Sequence, residues 1–99
     1  MKSITSTELK KIINNKEDFQ LIDTREDYEH AAFNIGGTLI PLGNIISRLA
    51  QIEKEKPVVF YCRKGVRSQI AIQRLQQKFP FDNLYNLEGG MEAWRKEFT

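Results

Sequence analysis

The sequence holds one cysteine, Cys62, so no disulfide can close within the chain. That excludes the stapled scaffolds of small secreted proteins and the multi-cysteine zinc ribbons. No apolar run approaches the roughly 20 residues that span a bilayer. The opening MKSITSTELKK lacks the apolar stretch of a signal peptide. Neither sign of charge prevails: fifteen Lys and Arg face thirteen Asp and Glu, for a net +2. That is well short of the field of a dedicated nucleic-acid binder, and neither a basic stripe nor a row of stacking aromatics is present. Internal repeats, low-complexity stretches and Pro/Gly/Ser-rich linkers are also missing. What remains is 40% hydrophobic and 28% charged over 99 residues. This is the composition of one globular domain over residues 1–99, expected in the cytoplasm, where a lone thiol stays reduced.

Helical and extended patterns alternate along the chain. Thr5 with Glu8 forms a capping box, and Ile4 with Leu9 occupies the positions of a hydrophobic staple. The helix they open carries Leu9, Ile12 and Ile13 on one face and runs out at Asn14-Asn15. Phe19 to Asp23 reads as a buried strand, Glu26 to Ala32 as a short helical turn, and Thr38 to Ile40 as a small strand closed by Pro41. Asn44 is placed to cap a helix striped by Ile45, Ile46, Leu49 and Ile52. Val58-Val59-Phe60-Tyr61 is apolar on both faces, as a central parallel strand requires. A helix from Ser68 to Phe79, a strand from Leu84 to Leu87 and a last helix striped by Met91, Trp94 and Phe98 complete the order. Such alternation predicts an α/β fold, a parallel sheet with helices on both faces. Ligands of such sheets sit beyond the carboxyl ends of the strands.

The segment beyond the central strand is the least ordinary in the chain. Cys62-Arg63-Lys64-Gly65-Val66-Arg67-Ser68 ends the strand and runs into a helix. A helix N-terminus offers unpaired N–H groups and a partial positive charge. Gly65 permits the positive φ that turns successive amides inward as an anion-binding nest. Arg63, Lys64 and Arg67 add three cations with no acid among them. Every term acting on Cys62 favours the thiolate. A lone cysteine is more often a buried hydrophobe, and loop cations are usually solvated. The strand-end position, the basic loop and the following helix together outweigh that reading.

The loop resembles the active-site loop of the rhodanese sulfurtransferases. Three further segments in the same order are similar to motifs of that family. They are Leu21-Ile22-Asp23-Thr24-Arg25 with Glu29, then Asn34-Ile35-Gly36-Gly37 before Leu39-Ile40-Pro41-Leu42, and Asn86-Leu87-Glu88-Gly89-Gly90-Met91-Glu92-Ala93-Trp94. The resemblance covers the chain from about Phe19 onward. It departs at Asn34, where the family often has histidine, and at His30, where an aromatic is commoner; His30 reads as a packing or surface residue.

The resemblance implies a three-layer rhodanese-like domain and a sulfurtransferase that carries sulfur as a persulfide on Cys62. Arg63 through Ser68, that is Arg63, Lys64, Gly65, Val66, Arg67 and Ser68, would hold the donor and the persulfide. The Arg63-Lys64 pair is similar to loops of thiosulfate-using members, which favours thiosulfate over mercaptopyruvate. Asp23 and Arg25 would support the loop from behind, Asp23 by binding its amides, although Arg25 reads better as the ion-pair partner of Glu29. Trp94 reads as core. No cofactor or metal is expected. The expected partners are a small sulfur anion and a thiol or protein acceptor (cyanide in vitro), with no nucleic acid and no membrane. Three other classes compete. Cysteine phosphatases and arsenate reductases have one more residue between cysteine and arginine than the four separating Cys62 from Arg67, and Ser68 stands where their arginine would be. Non-catalytic rhodanese-like modules often lack the cysteine, and a dithiol redox protein needs a second one.

Overall fold

A computed structural model describes all 99 residues. Five parallel strands form one sheet in the order β1-β5-β4-β2-β3. They are β1 (Ser3–Ile4), β2 (Gln20–Asp23), β3 (Thr38–Leu39), β4 (Val58–Tyr61) and β5 (Leu84–Leu87). Three helices connect strands, α1 (Ser6–Asn14), α2 (Asp27–Ala32) and α3 (Val66–Lys78), and a fourth, α4 (Gly90–Phe98), follows β5. None is long and apolar enough to cross a membrane.

The central strand explains both cores. All four residues of β4 are buried, and successive side chains point to opposite faces. Val58 and Phe60 join Ile22, Ala71, Ile72, Leu75 and Leu84 beneath α3. Val59 and Tyr61 join Leu9, Leu21, Leu87, Met91 and Trp94 beneath α1 and α4. The result is the expected α/β arrangement, helices on both faces of a parallel sheet. At the entrance to α1 the capping box forms as the sequence requires, with the Glu8 amide donating to Thr5 Oγ1 at 3.1 Å and the Thr5 amide to Glu8 Oε1 at 2.9 Å.

Two predicted elements change. The helix expected from Asn44 is instead a pair of 3₁₀ turns, Leu42–Asn44 and Leu49–Gln51. Ile45 and Ile52 are buried as core anchors, while Ile46 faces outward. The Ser47 hydroxyl donates to the Asn44 carbonyl, competing with a helical ladder already weakened by adjacent β-branched residues. The second change lies at the loop after β4. Gly65 takes φ +98° and caps α3, so the helix begins at Val66 rather than Ser68. Arg67 and Ser68 therefore belong to its first turn. At the other end the helix stops before Phe79, because Pro80 disfavours helical geometry in the residue before it. Phe79 is partly exposed and packs edge-on against the buried Phe81.

The last helix begins almost in contact with the end of β4. Met91 N–H donates to the Cys62 carbonyl at 2.8 Å, and Glu92 N–H to the Arg63 carbonyl at 3.0 Å. A Cβ on Gly90, where φ is +56°, would lie 2.4 Å from the Cys62 oxygen and 2.7 Å from the Arg63 carbonyl. Gly36 has φ +95° but open space around it. Gly36→Ala should therefore cost only the conformational penalty, about 1 kcal/mol. Gly90→Ala should cost more than ~3 kcal/mol, because backbone must also move. Urea unfolding of the two variants checks this, and equal losses would contradict the close approach.

Candidate active site

Cys62 follows β4 directly and is 1% exposed, yet it forms the floor of an open cavity of about 170 Å³. Arg63, Lys64, Val66 and Arg67 complete the walls. Three polar groups contact the sulfur. Gly65 N–H donates to Sγ at 3.1 Å, Ser68 N–H approaches it at 3.4 Å, and Ser68 Oγ lies at the same distance. This is a small-anion cup, well below the volume of a cavity for drug-sized ligands.

The orientation of the cup follows from peptide geometry. In a trans peptide the carbonyl and the next N–H point in opposite directions. The Cys62 and Arg63 carbonyls are turned toward α4, so the N–H groups of Arg63 and Lys64 face away from it. Asn86, buried on β5, holds the Gly65 carbonyl with its Nδ2 at 3.0 Å, which turns the Val66 N–H likewise. The amides of Arg63, Lys64, Val66 and Arg67 donate to nothing within the chain. With the free N-terminus of α3 they leave unpartnered donors in the loop that carries the sulfur, the kind of group that binds an anion.

The charges are arranged less simply than the sequence implies. Arg67 makes a two-pronged pair with Glu29 of α2, at 2.7 and 2.9 Å. Arg63 meets Glu92 at 3.2 Å in an exposed pair. Two acids from elsewhere thus partner two of the three cations, and Lys64 alone has no acid partner. The expected support from Asp23 also differs. Its carboxylate accepts from the Arg25 amide and guanidinium and sits 2.8 Å from His30 Nδ1, so it reaches no loop amide. Arg25 pairs with Asp23 and the Phe33 carbonyl, not with Glu29. His30 is accordingly a half-buried partner of a buried acid. The reason is reach: Asp23 and Arg25 are adjacent to each other in space, whereas Glu29, one helical turn into α2, projects toward α3.

Burial alone would push the Asp23 carboxyl up, but hydrogen bonds from Arg25 and His30 outweigh it and hold the group below its usual range. For Tyr61, burial first and the Asp23 charge second raise the phenol, which keeps it neutral. Its hydroxyl donates to the Gly36 carbonyl and orders the turn beside β3. Trp94 is buried in the core as expected. Asn86, Glu29 and Glu92 were not legible as site residues. Asn86 also accepts a short hydrogen bond from Ser68 Oγ, so one buried amide steadies both flanks of the loop. Beyond its place at the head of a motif, its signal in the sequence is a polar residue inside an otherwise apolar strand. No cluster of three or more His, Cys, Asp or Glu side chains forms a metal-ligand set.

The Glu29 carboxyl is held down at about 2 from its usual 4.5, chiefly by the Arg67 hydrogen bonds, with help from the Glu26 amide against some burial. Because the folded value is the lower one, the pair stabilises fully above pH 4.5 and loses that contribution as pH falls toward 2. Glu29→Gln should therefore cost about 1 kcal/mol near neutrality. More than half of that difference from wild type should vanish by about pH 3. Urea unfolding at both pH values measures it; a difference that stays constant would show that the pair contributes nothing through ionisation.

The profile of the family described as "Rhodanese-like domain" matches residues 5–97. YtwF of Bacillus subtilis (strain 168), provisionally named a sulfurtransferase, is 38% identical over 98% of this chain and 93% of its own. A sulfurtransferase of Allochromatium vinosum is 36% identical over 94% of this chain and 87% of its own. The crystal structure of a rhodanese-like domain protein from Staphylococcus aureus superposes with a TM-score of 0.84, at 35% identity, covering 95% of this chain and 91% of that one. Against two further relatives the chain spans only 60% and 29% of their length.

Proposed function

The chain belongs to the rhodanese-like domain family, and from that premise we propose that it is a single-domain sulfurtransferase working through a persulfide on Cys62. The observation that carries the reading is the sulfur approached by the Gly65 and Ser68 amides, with further unpartnered N–H groups in the same loop. Amides placed in this way stabilise negative charge on a sulfur attached at this position.

The donor is a small sulfane-sulfur anion of the thiosulfate class. The Cys62 thiolate attacks its outer sulfur, the donor S–S bond breaks, and sulfite departs with the bonding electron pair. A disulfide-like bond now joins Sγ to a terminal, negatively charged sulfur. The amides of Arg63, Lys64, Val66 and Arg67 are placed to stabilise that charge as it develops. An acceptor nucleophile then attacks the terminal sulfur, and the Cys62 thiolate leaves. Two displacements replace one difficult transfer, and no oxidant or reductant is needed. Lys64, without an acid partner, attracts the donor; Arg63 contributes less because Glu92 faces it.

Incubation with thiosulfate should add one sulfur atom to the intact mass, and Cys62→Ser should abolish the gain. Addition of cyanide should release thiocyanate. Lys64→Ala should raise KM for thiosulfate about fivefold, with a smaller change in kcat, as expected for loss of roughly 1 kcal/mol of charge attraction. Arg63→Ala should raise it less. A wild-type chain that takes up no sulfur would overturn the proposal. A fall in kcat with KM untouched would remove Lys64 from donor capture.

A further inference from the structure

A second cavity, of about 350 Å³, opens beside the cup and shares Arg63 with it. Its walls come mainly from α2, the Phe33 that follows it, and α4, and include Tyr28 and Arg95. The cup is sized for a small anion, so an acceptor larger than cyanide has to keep its body elsewhere. This cavity is the adjoining space, and its volume falls within the range of small-molecule sites.

The charges around it sort by partner. Arg25 is engaged by Asp23 and the Phe33 carbonyl, Arg63 by Glu92, and Glu29 by Arg67. Arg95 is the one guanidinium in the wall with no acid partner. It is also held in place: its guanidinium carbon lies 4.3 Å from the centre of the Phe33 ring. Stacking of this kind leaves the guanidinium edge free to donate and limits the rotamer freedom that binding would otherwise remove. Arg95 follows Glu92 by one turn of α4, roughly 5 Å along the axis, while Glu92 itself touches the loop through its amide. Tyr28, largely exposed, adds an aromatic wall for an organic body.

We infer that Arg95, stacked on Phe33, is a carboxylate-binding subsite that selects low-molecular-weight thiols bearing a carboxylate several bonds from the sulfur as acceptors. The inference rests on the sulfurtransferase reading for its chemistry. The acceptor thiolate attacks the terminal sulfur of the Cys62 persulfide, the S–S bond to Sγ breaks, and Cys62 leaves as thiolate. The acceptor departs as a persulfide. The carboxylate takes no part in bond exchange, so its contribution is binding and orientation.

The test compares N-acetylcysteinylglycine with its C-terminal amide, which differ only in the carboxylate, and uses cyanide as the small acceptor. The wild type should prefer the acid by roughly tenfold in kcat/KM, the size expected of one charge-assisted pair. Arg95→Gln should reduce that preference to near one, and Arg95→Lys should restore part of it. Equal use of acid and amide by the wild type, or a preference that survives Arg95→Gln, would overturn the subsite. Binding of the same two compounds to the Cys62→Ser chain, followed by NMR at Phe33 and Arg95, needs no turnover. A chain that binds the acid selectively but never loads sulfur would overturn the sulfurtransferase reading and keep the subsite. A chain that makes thiocyanate but binds acid and amide alike would do the reverse.

Discussion

The site depends on two backbone hydrogen bonds between the start of α4 and the end of β4. Met91 and Glu92 hold the Cys62 and Arg63 carbonyls, and planar peptides then leave the following N–H groups no choice but to face the other way. Only glycine at position 90 lets the two backbones come that close. A helix N-terminus is thus used twice. That of α4 binds carbonyl oxygens of the loop, and that of α3 stays open for an anion. The first use creates the second.

Electrostatics around the loop is correspondingly a matter of partition. Arg67 is tied to Glu29, which couples α2 to the first turn of α3, and Arg63 rests against Glu92. The loop thus presents oriented amides and one cation without an acid partner, Lys64, in place of three free cations. Fixed amides suit charge that moves from thiolate to terminal sulfur and back, because they need no reorganisation between steps. Asp23 and Arg25, with His30, form a buried network below this layer that organises the chain leaving β2. A buried carboxylate without those partners would be costly, so the network is held as a unit.

Much of the fold was legible because its signals are local. The capping box at Thr5, the doubly apolar strand at Val58 to Tyr61 and the turn at Gly65 each depend on neighbours within a few residues. The segment after Asn44 misled because its isoleucines keep a helical period while the backbone follows 3₁₀ turns, with Ile45 and Ile52 anchored in the core. At the site, the nucleophile and its loop were visible as one contiguous stretch. Glu29, Glu92 and Asn86 were not, since each lies far along the chain from the residue it partners.

Local order alone therefore determined the alternating α/β arrangement, the identity of Cys62 as the singular thiol, and a loop able to present amides to it. Which cations remain unpaired, which carbonyls are held away from the sulfur, and where an acceptor's body can rest were decided by tertiary structure. These properties arise from groups tens of residues apart meeting at one sheet edge, and charge compensation acts through distance in space, not along the chain.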